Sequence, residues 1–278
     1  MKLTVLIDNN TLIDRYFIGE PGVSYLIEEE GKKILFDVGY SDAFIMNAGK
    51  LAIDLLDVDF LVLSHGHLDH TWGLMPLLRL YTEGMIEGLK VNKPTLVAHP
   101  FTFLTKKIDN LPEIGSLLTE DKLSGYFNLK LSREPINLTE RLIFLGEIDR
   151  IHDFEDKNTI GKILKNGVEE NDFLLDDSAL VYKSPNGLIV ITGCSHAGIC
   201  NIIEYAKKVC GDERVVDVIG GFHLLNPTKE QLQETVEYFR SLQPDSVHAC
   251  HCTDLNAKIA LSKVSDIKEV GAGLVLEY

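Results

Sequence analysis

Three histidines and one aspartate lie within six residues of the chain, directly after an apolar run. The run is Phe60 to Ser64, and the four residues that follow are His65, His67, Asp69 and His70. Imidazole nitrogens and a carboxylate oxygen that meet at one point are the ligand set of zinc, iron or manganese. The residue types and their spacing therefore predict a metal site.

The geometry of this segment limits how the four side chains meet. On an extended strand His65 and His67 share a face, because side chains alternate between faces. Asp69 and His70 need a turn to reach the same point, and Gly66 permits such a bend. The alternative is a polar loop in front of a helix that Thr71 caps. Four potential ligands in six residues favour the metal site.

The composition is that of an acidic protein with enough apolar residues for one large domain. Of 278 residues 45% are hydrophobic, and the formal net charge is −15. This charge opposes binding to nucleic acid, whereas a small anionic substrate stays compatible with it because bound metal supplies local positive charge. No stretch reaches the roughly 20 apolar residues of a membrane span, and we expect a cytoplasmic protein without membrane contact. Five cysteines, an odd number confined to the last third, disfavour a disulfide framework.

Short β-rich runs alternate with turns in the first part of the chain. The predicted strands are Leu3 to Ile7, Gly22 to Glu28, Lys33 to Phe36, Asp59 to Leu63 and Pro94 to Ala98, and the predicted helices are Asp42 to Leu51 and Thr71 to Leu80. From about residue 101 to 170 the pattern loosens, and only Arg141 to Leu145 has the pattern of a good strand. We interpret residues 101–170 as an insertion or lid region of a single domain that spans 1–278, or as a variable surface excursion.

The last third alternates strands and helices regularly, which predicts an α/β fold. The predicted strands are Ser178 to Lys183, Leu188 to Thr192, Val215 to Ile219, Ser246 to Ala249 and a terminal run from Gly273 to Tyr278, and the predicted helices are Ile199 to Val209, Thr228 to Leu242 and Leu255 to Val264. Asn186-Gly187 predicts a hairpin between the first two strands. Strand ends in this section carry potential ligands: Cys194 follows the strand that ends at Thr192, His223 follows the one that ends at Ile219, and His251 follows the one that ends at Ala249.

The segment from His65 to His70 resembles the signature of the metallo-β-lactamase superfamily, His-x-His-x-Asp-His in the loop after a strand. The resemblance implies an αββα sandwich of two mixed β-sheets flanked by helices, with two metals at one edge. It implies His65 and His67 as ligands of metal 1, and Asp69 and His70 as ligands of metal 2. Asp37 matches the superfamily's first motif, in which an aspartate supports the metal loop from behind its ligands.

Three later segments resemble a narrower family within that superfamily. They are Gly193 to Ile199 (Gly-Cys-Ser-His-Ala-Gly-Ile), Gly220 to Leu224 (Gly-Gly-Phe-His-Leu) and His251 to Thr253 (His-Cys-Thr). Cys194 stands where most of the superfamily has a bridging aspartate, and Asp176 and Asp177 stand where a ligand histidine usually precedes the hairpin. On this analogy His196 completes metal 1 and His251 completes metal 2.

Two residues of these segments keep more than one interpretation. Cys194 bridges the metals, binds one of them or simply packs in the core. His223 contacts the substrate or transfers a proton, or else has a hydrogen-bonded structural role. His99, His152 and His248 are not predicted as ligands, and His99 is expected on the polar surface.

Members of the narrower family are described as metal-dependent hydrolases, and some archaeal members as synthases that join a dihydropterin to a ribofuranosyl-aminobenzene phosphate. Our first hypothesis is a hydrolase with two divalent ions, zinc or else iron or manganese, whose shared hydroxide attacks a small phosphoester or related ester. Asp69 would both bind metal and orient the nucleophile. The alternatives are a transferase of the synthase type and, in another class, a non-catalytic metal or redox sensor.

Overall fold

The computed structural model describes residues 1–155 and 159–278. The strands in these ranges are β1 (Lys2–Ile7), β2 (Ser24–Glu29), β3 (Lys32–Phe36), β4 (Phe60–Val62), β5 (Thr95–Ala98), β6 (Lys106–Lys107), β7 (Asn128–Leu131), β8 (Ile136–Asn137), β9 (Leu142–Phe144), β10 (Lys162–Lys165), β11 (Val168–Asn171), β12 (Ala179–Ser184), β13 (Gly187–Thr192), β14 (Val215–Gly221), β15 (Ser246–Cys250) and β16 (Val275–Glu277). The helices are α1 (Ala43–Lys50), α2 (Leu68–Thr71), α3 (Leu74–Ile86), α4 (Glu120–Leu123), α5 (Ile199–Cys210), α6 (Lys229–Leu242) and α7 (Leu255–Leu261).

Two large mixed sheets and one small sheet contain these strands. The first sheet has the order β16-β1-β2-β3-β4-β5-β7, and the second has the order β15-β14-β13-β12-β9-β8. Strands β3, β4, β5 and β7 pair in parallel, as do β13, β14 and β15. The small sheet joins β11, β10 and β6 in antiparallel pairs.

Apolar side chains from both large sheets meet in one buried cluster, which contains Ile27 and Phe36 of the first sheet and Phe144 and Ile191 of the second. A second cluster joins the other face of the first sheet to α1 and α3, and a third joins the second sheet to α5, α6 and α7. Strands covered on both faces are almost continuously apolar, as in β13. The predicted αββα sandwich is therefore confirmed.

The helical segment after the metal motif begins earlier than predicted. Helix α2 starts at Leu68, and α3 starts only at Leu74, so Thr71 ends a helix instead of capping one. The Thr71 hydroxyl donates a hydrogen bond to the carbonyl oxygen of His67 over 2.9 Å. The early helical turn brings His70 back towards His65, whose ring centroid lies 4.3 Å from that of His70.

Residues 101–170 contribute to all three sheets. The strand predicted at Arg141 to Leu145 is present as β9, but the segment also contains strands that the sequence pattern did not predict. Strand β7 extends the first sheet, β8 and β9 extend the second, and β6 and β10 with β11 form the small sheet. These strands have only two to four residues each and include many Lys, Asn and Glu side chains, so they show no clear periodicity. We keep one domain over 1–278 as our interpretation, because strands before and after the segment pair with strands inside it.

The carboxyl ends of the parallel strands lead into the candidate ligands. Beyond them, φ is 55° at Asp37, 58° at Ser195, 51° at His223 and 50° at His251. Left-handed values are uncommon for residues with a Cβ, and they persist only where the surrounding structure enforces them, which is frequent at functional sites. The same edge of the sandwich therefore combines strand ends, strained backbone and potential ligands.

The helices and the cysteines can be compared directly with the sequence analysis. Among the helices of the described ranges, none is long and apolar enough to cross a membrane. All five cysteines lie in those ranges and are free thiols.

Candidate metal centre

A tight turn between β4 and α2 presents three imidazoles. His67 is the residue before α2, and its Nδ1 lies 3.1 Å from His65 Nε2, while His70 lies within the helix. The backbone bends at Gly66, as predicted. The missing side chain also permits close packing there, because a Cβ would overlap the carbonyl oxygen of Thr102.

Three imidazoles form the first of two ligand groups, which we call the His65 group: His65, His67 and His196. The ring centroids are 4.7 Å apart for His65 and His67, 4.8 Å for His65 and His196, and 4.8 Å for His67 and His196. Both ring nitrogens of His196 are buried, and neither has a hydrogen-bond partner among the described residues. Buried polar atoms normally have partners, and a cation is the natural partner of a neutral nitrogen in a cluster of imidazoles. The residues therefore fit a bound metal.

Four side chains form the second group, which we call the His70 group: Asp69, His70, Cys194 and His251. Cys194 Sγ lies 3.2 Å from His70 Nε2 and 3.0 Å from His251 Nε2. Asp69 Oδ2 lies 3.6 Å from His70 Nε2 and 3.3 Å from His251 Nε2. One ligand atom from each of the four lies within 4.8 Å of the others, which fits a second metal.

The Cys194 thiol stands between the two groups. Its Sγ also lies within 4.8 Å of ligand atoms of His65 and His196. Burial raises the pKa of this thiol well above its ordinary value, so a neighbouring cation is needed to keep it as a thiolate. The position is compatible with a thiolate that binds one metal or bridges two.

Acceptors behind the His70 group fix the orientation of its imidazoles. Asp37 Oδ2 accepts a hydrogen bond from His70 Nδ1 over 2.7 Å, which leaves Nε2 as the nitrogen that faces Cys194. His251 Nδ1 lies 2.9 Å from Asn9 Oδ1. Hydrogen bonds to the ring nitrogen that does not bind the metal commonly hold ligand histidines in the orientation that metal binding needs.

Two aspartates before β12 support the His65 group. Asp176 Oδ2 accepts the backbone N–H of Gly66 over 2.8 Å. Asp177 Oδ2 accepts the backbone N–H of Ala197 over 2.8 Å, and its Oδ1, 3.9 Å from His65 Nδ1, has no hydrogen-bond partner within the described part of the chain. Burial raises the pKa of Asp177 to about 7. Carboxyl groups therefore lie behind the His65 group, but none lies within it.

Burial favours the neutral form of every imidazole in the His65 group. It lowers the pKa of His67 to about 4, with a further contribution from Lys106, and it lowers the pKa of His65 and His196 well below the ordinary range. The group therefore offers uncharged nitrogen lone pairs to a cation at neutral pH.

The His70 group has the opposite electrostatic environment. Burial alone would lower the pKa of His70, but the carboxylates of Asp69 and Asp37 more than offset it and raise this pKa to about 9. Burial would likewise raise the pKa of Asp69, whereas His70 and His251 lower it. A metal at this group would therefore displace the proton of His70 and bind the carboxylate of Asp69, which is already ionised.

His223 lies next to the His65 group. Its ring centroid is 4.3 Å from that of His196, and its Nδ1 is a buried atom without a hydrogen-bond partner among the residues described. A pocket of about 180 Å³ borders both histidines and is also lined by Leu174, Phe222, Leu225, Thr228 and Gln231. A small molecule in this pocket would lie beside the candidate ligands.

The structure brings all the ligands predicted from the sequence to one place and keeps His99, His152 and His248 outside both groups. His99 is buried, not at the polar surface as expected, because it bonds to Glu147 over 3.0 Å. His248 Nδ1 lies 2.9 Å from Asp217 Oδ1, and His152 packs against aromatic rings. These residues have structural contacts outside both groups.

Sequence reasoning missed several residues around the site. Asp8 and Asn9 directly follow β1, and Asp8 Oδ1 accepts the backbone N–H of His251 over 2.9 Å; polar residues at a strand end were an available signal. Lys106 gave no signal, because it lies in the segment without clear periodicity. Asp177 was noted only as a departure from the superfamily pattern.

Comparisons with known proteins agree with this geometry. A family model described as the metallo-β-lactamase superfamily matches residues 18–87, which include Asp37 and the turn from His65 to His70. The 7,8-dihydropterin-6-methyl-4-(β-D-ribofuranosyl)-aminobenzene-5'-phosphate synthase of Methanocaldococcus jannaschii is 31% identical, over 100% of this chain and 97% of its own length.

Two solved structures extend the comparison. Tm1679, described as a metal-dependent hydrolase of the β-lactamase superfamily, has 29% identity and a TM-score of 0.83 over 100% of this chain and 99% of its own. The metallo-β-lactamase fold protein YhfI from Bacillus subtilis has 14% identity and a TM-score of 0.57 over 100% of this chain and 99% of its own, a likeness of fold alone. With the sandwich, the motif and a full-length relative in agreement, the chain belongs to the metallo-β-lactamase superfamily.

Proposed function

We propose that the protein is a metal-dependent hydrolase that acts on a small anionic phosphoester or related ester. The observation that carries the proposal is the meeting of two ligand groups at one edge of the sandwich, with both nitrogens of His196 buried and unpartnered within the described residues. Similarity to Tm1679, described as a metal-dependent hydrolase, supports it.

The two groups would each hold one divalent ion. His65, His67 and His196 would bind the first, and the His70 group would bind the second. We propose zinc, because imidazole, carboxylate and thiolate are its usual protein ligands, with iron or manganese as the alternatives that elemental analysis would distinguish. A metal pair supplies positive charge that stabilises a developing oxyanion and lowers the pKa of a bound water towards neutrality.

Two side chains are proposed to act on the reacting groups. Asp69 is partly exposed at 24% and its carboxylate reaches His251, so it can orient a nucleophile by accepting its hydrogen bond while it binds metal. His223 borders the pocket with a free Nδ1, from which it can donate a proton to a leaving group or hold a substrate oxygen.

A screen of phosphoester substrates tests this proposal directly. The protein purified with its metal should hydrolyse at least one small phosphomonoester or phosphodiester, lose activity after chelation, and regain it with zinc, manganese or iron. Equal activity in the chelated protein would reject metal-dependent hydrolysis. His99→Ala is a suitable control, because His99 is buried but lies outside both ligand groups.

A transferase is the second candidate, and the 31% identity to the Methanocaldococcus jannaschii synthase over the whole chain specifically favours it. The same two groups would then assist the displacement of diphosphate from a pterin diphosphate by a ribofuranosyl-aminobenzene phosphate. Incubation with both substrates, followed by mass spectrometry, should show the condensed product if this candidate is correct. Metal binding without turnover in either assay would instead indicate a non-catalytic sensor.

A further inference from the structure

A lysine without exposed surface lies beneath the metal-binding turn. Lys106 Nζ donates to Asp172 Oδ2 over 2.7 Å and to Asp176 Oδ1 over 2.9 Å, and all three side chains are buried. Buried lysines are rare, because removing the ammonium group from water is unfavourable unless anions compensate it. We call these residues the Lys106 triad, whose formal charge is −1.

The Lys106 triad joins three separate parts of the chain. Lys106 begins β6, Asp172 directly follows β11, and Asp176 precedes β12. Although burial lowers the pKa of Lys106, the carboxylates of Asp176 and Asp172 more than offset this and raise it, so the ammonium stays charged. The triad therefore fixes the small sheet to the start of β12 through an ion pair that solvent does not screen.

The triad also contacts the metal-binding turn from both sides. The second oxygen of Asp176 accepts the backbone N–H of Gly66, the residue between His65 and His67, over 2.8 Å. The carbonyl oxygen of Lys106 accepts the N–H of Ile114 over 2.8 Å, and the carbonyl oxygen of Ile114 accepts the N–H of Leu68 over 2.8 Å. Lys106 is therefore linked through Asp176 to the residue before His67 and through Ile114 to the residue after it.

We propose that Lys106 is a positioning residue for metal binding: its ammonium holds Asp176 against Gly66 and thereby sets the relative orientation of His65 and His67. The inference rests on the proposed metal site. Its effect belongs to the His65 group, because the orienting contacts of the His70 group come from Asp37 and Asn9, which lie outside the triad.

The charge of the triad adds a reason for this selectivity. The His65 group consists of imidazoles, which are neutral when they bind a metal, and Cys194 lies within reach of both groups, whereas the Asp69 carboxylate belongs to the His70 group alone. The nearest fixed charges to the turn include the net negative triad. Loss of its geometry should therefore weaken the metal that is held mainly by imidazoles more than the metal that Asp69 also binds.

The test is a cobalt titration of the chelator-treated full-length protein with a charge-matched variant. Lys106→Met combined with Asp172→Asn removes the ammonium and one carboxylate, so that the formal charge of the triad stays at −1. The matched control is Lys107→Met with Glu169→Gln. Lys107 is the residue next to Lys106, and its Nζ forms an exposed ion pair of 2.7 Å with Glu169 Oε1 in the same small sheet. The thiolate-to-cobalt band reports occupancy beside Cys194, and the total d–d absorption reports both groups.

We expect the charge-matched variant to form the thiolate band at wild-type cobalt concentration, while the rest of the d–d absorption needs about 10- to 100-fold more cobalt. Titration curves equal to those of the control, or equal weakening of both signals, would overturn the proposal. If the double variant does not fold, Asp176→Asn, which keeps the side-chain shape, must show the same selective loss. The titration uses no turnover, so a wild-type protein that binds two ions but catalyses neither reaction would refute the proposed function and not this inference.

Discussion

The His65 group and the His70 group share one edge of the sandwich but are held by different parts of the chain. Behind the His70 group lie Asp37 and Asn9, each of which follows a strand of the first sheet closely. Behind the His65 group lie Asp176 and Asp177, and Lys106 reaches Asp176 from the small sheet. Residues that follow strands of the first sheet orient the His70 group, whereas the residues before β12 and a lysine of the small sheet support the His65 group.

The two groups also differ in charge, and this difference has a chemical consequence. The His65 group consists of three imidazoles whose pKa values burial lowers, with the Cys194 thiol at its edge, whereas the His70 group combines that thiol with a carboxylate and with an imidazole whose pKa is raised to about 9. We infer that the metals differ in affinity and pH response, with the tighter ion in the group that has anionic ligands.

The largest expected effect comes from removing one ligand of each group. His67→Ala and Asp69→Ala should each lower metal-dependent turnover at least about a thousand-fold, since loss of either ion removes several kcal/mol of charge stabilisation. The measurement is kcat/KM on a chromogenic phosphodiester together with bound metal per chain. His248→Gln, in a buried pair with Asp217, should keep both values. A variant of either ligand that retains more than a tenth of the activity would contradict the need for both groups.

Cys194→Ala should have the next largest effect. We expect at least about 100-fold weaker metal binding in the His70 group and loss of the thiolate-to-cobalt band, because the substitution deletes its only sulfur ligand. Cys200→Ala, a buried cysteine of α5, is the matched control and should keep the band. A thiolate band that survives in Cys194→Ala would show that another cysteine binds the metal.

The pH dependence of apoprotein stability should have one limb for each group. The pKa of His67 falls from 6.5 to about 4 on folding, so the unfolded chain binds more protons between these values and stability is lost as pH falls through this window. The pKa of His70 rises from 6.5 to about 9, so its contribution is present below 6.5 and is lost as pH rises towards 9. His67 and His70 should each contribute roughly 3 kcal/mol to the respective limb.

Urea unfolding of the chelated protein at a series of pH values measures both limbs. His67→Gln should reduce the acid limb, to which His65 and His196 also contribute, and His70→Gln should flatten the alkaline limb, because each replaces a titrating imidazole by a neutral amide. If both variants follow the wild-type profile, the assigned pKa shifts are wrong.

Asp37→Asn should have the smallest effect of the set. The amide keeps the side-chain shape and tolerates the left-handed φ of 55°, but it no longer offers a charged acceptor to His70 Nδ1. We expect about tenfold weaker metal binding in the His70 group and no change in the His65 group. Chelator competition measures both affinities, with Asp59→Asn of the surface pair with Lys32 as control. An affinity equal to that control would exclude the orienting role.

Local sequence was enough to predict much of this architecture. The turn from His65 to His70 is contiguous, and Cys194, His223 and His251 closely follow the regular strands β13, β14 and β15, so parallel strand order brings them to one edge. The hairpin at Asn186-Gly187 was predicted from its turn residues alone and is confirmed.

Features that depend on distant contacts were not predictable in the same way. Thr71 has the residue type of a cap, but its hydroxyl bonds back to His67 and lies at the end of α2. Lys106 has no distinguishing neighbours in sequence, and its partners lie 66 and 70 residues away. Its burial depends on the short strands β6, β10 and β11. These strands are stabilised by pairing with one another, although their sequences show no clear hydrophobic periodicity.

Anomalous X-ray diffraction at the metal absorption edge would show whether each of the two ligand groups binds a metal ion. Crystals of the protein with its metal should show two anomalous peaks, one among His65 Nε2, His67 Nδ1 and His196, and one among Asp69, His70 Nε2, Cys194 and His251. No anomalous peak among these side chains, or a metal bound only elsewhere in the chain, would contradict the account.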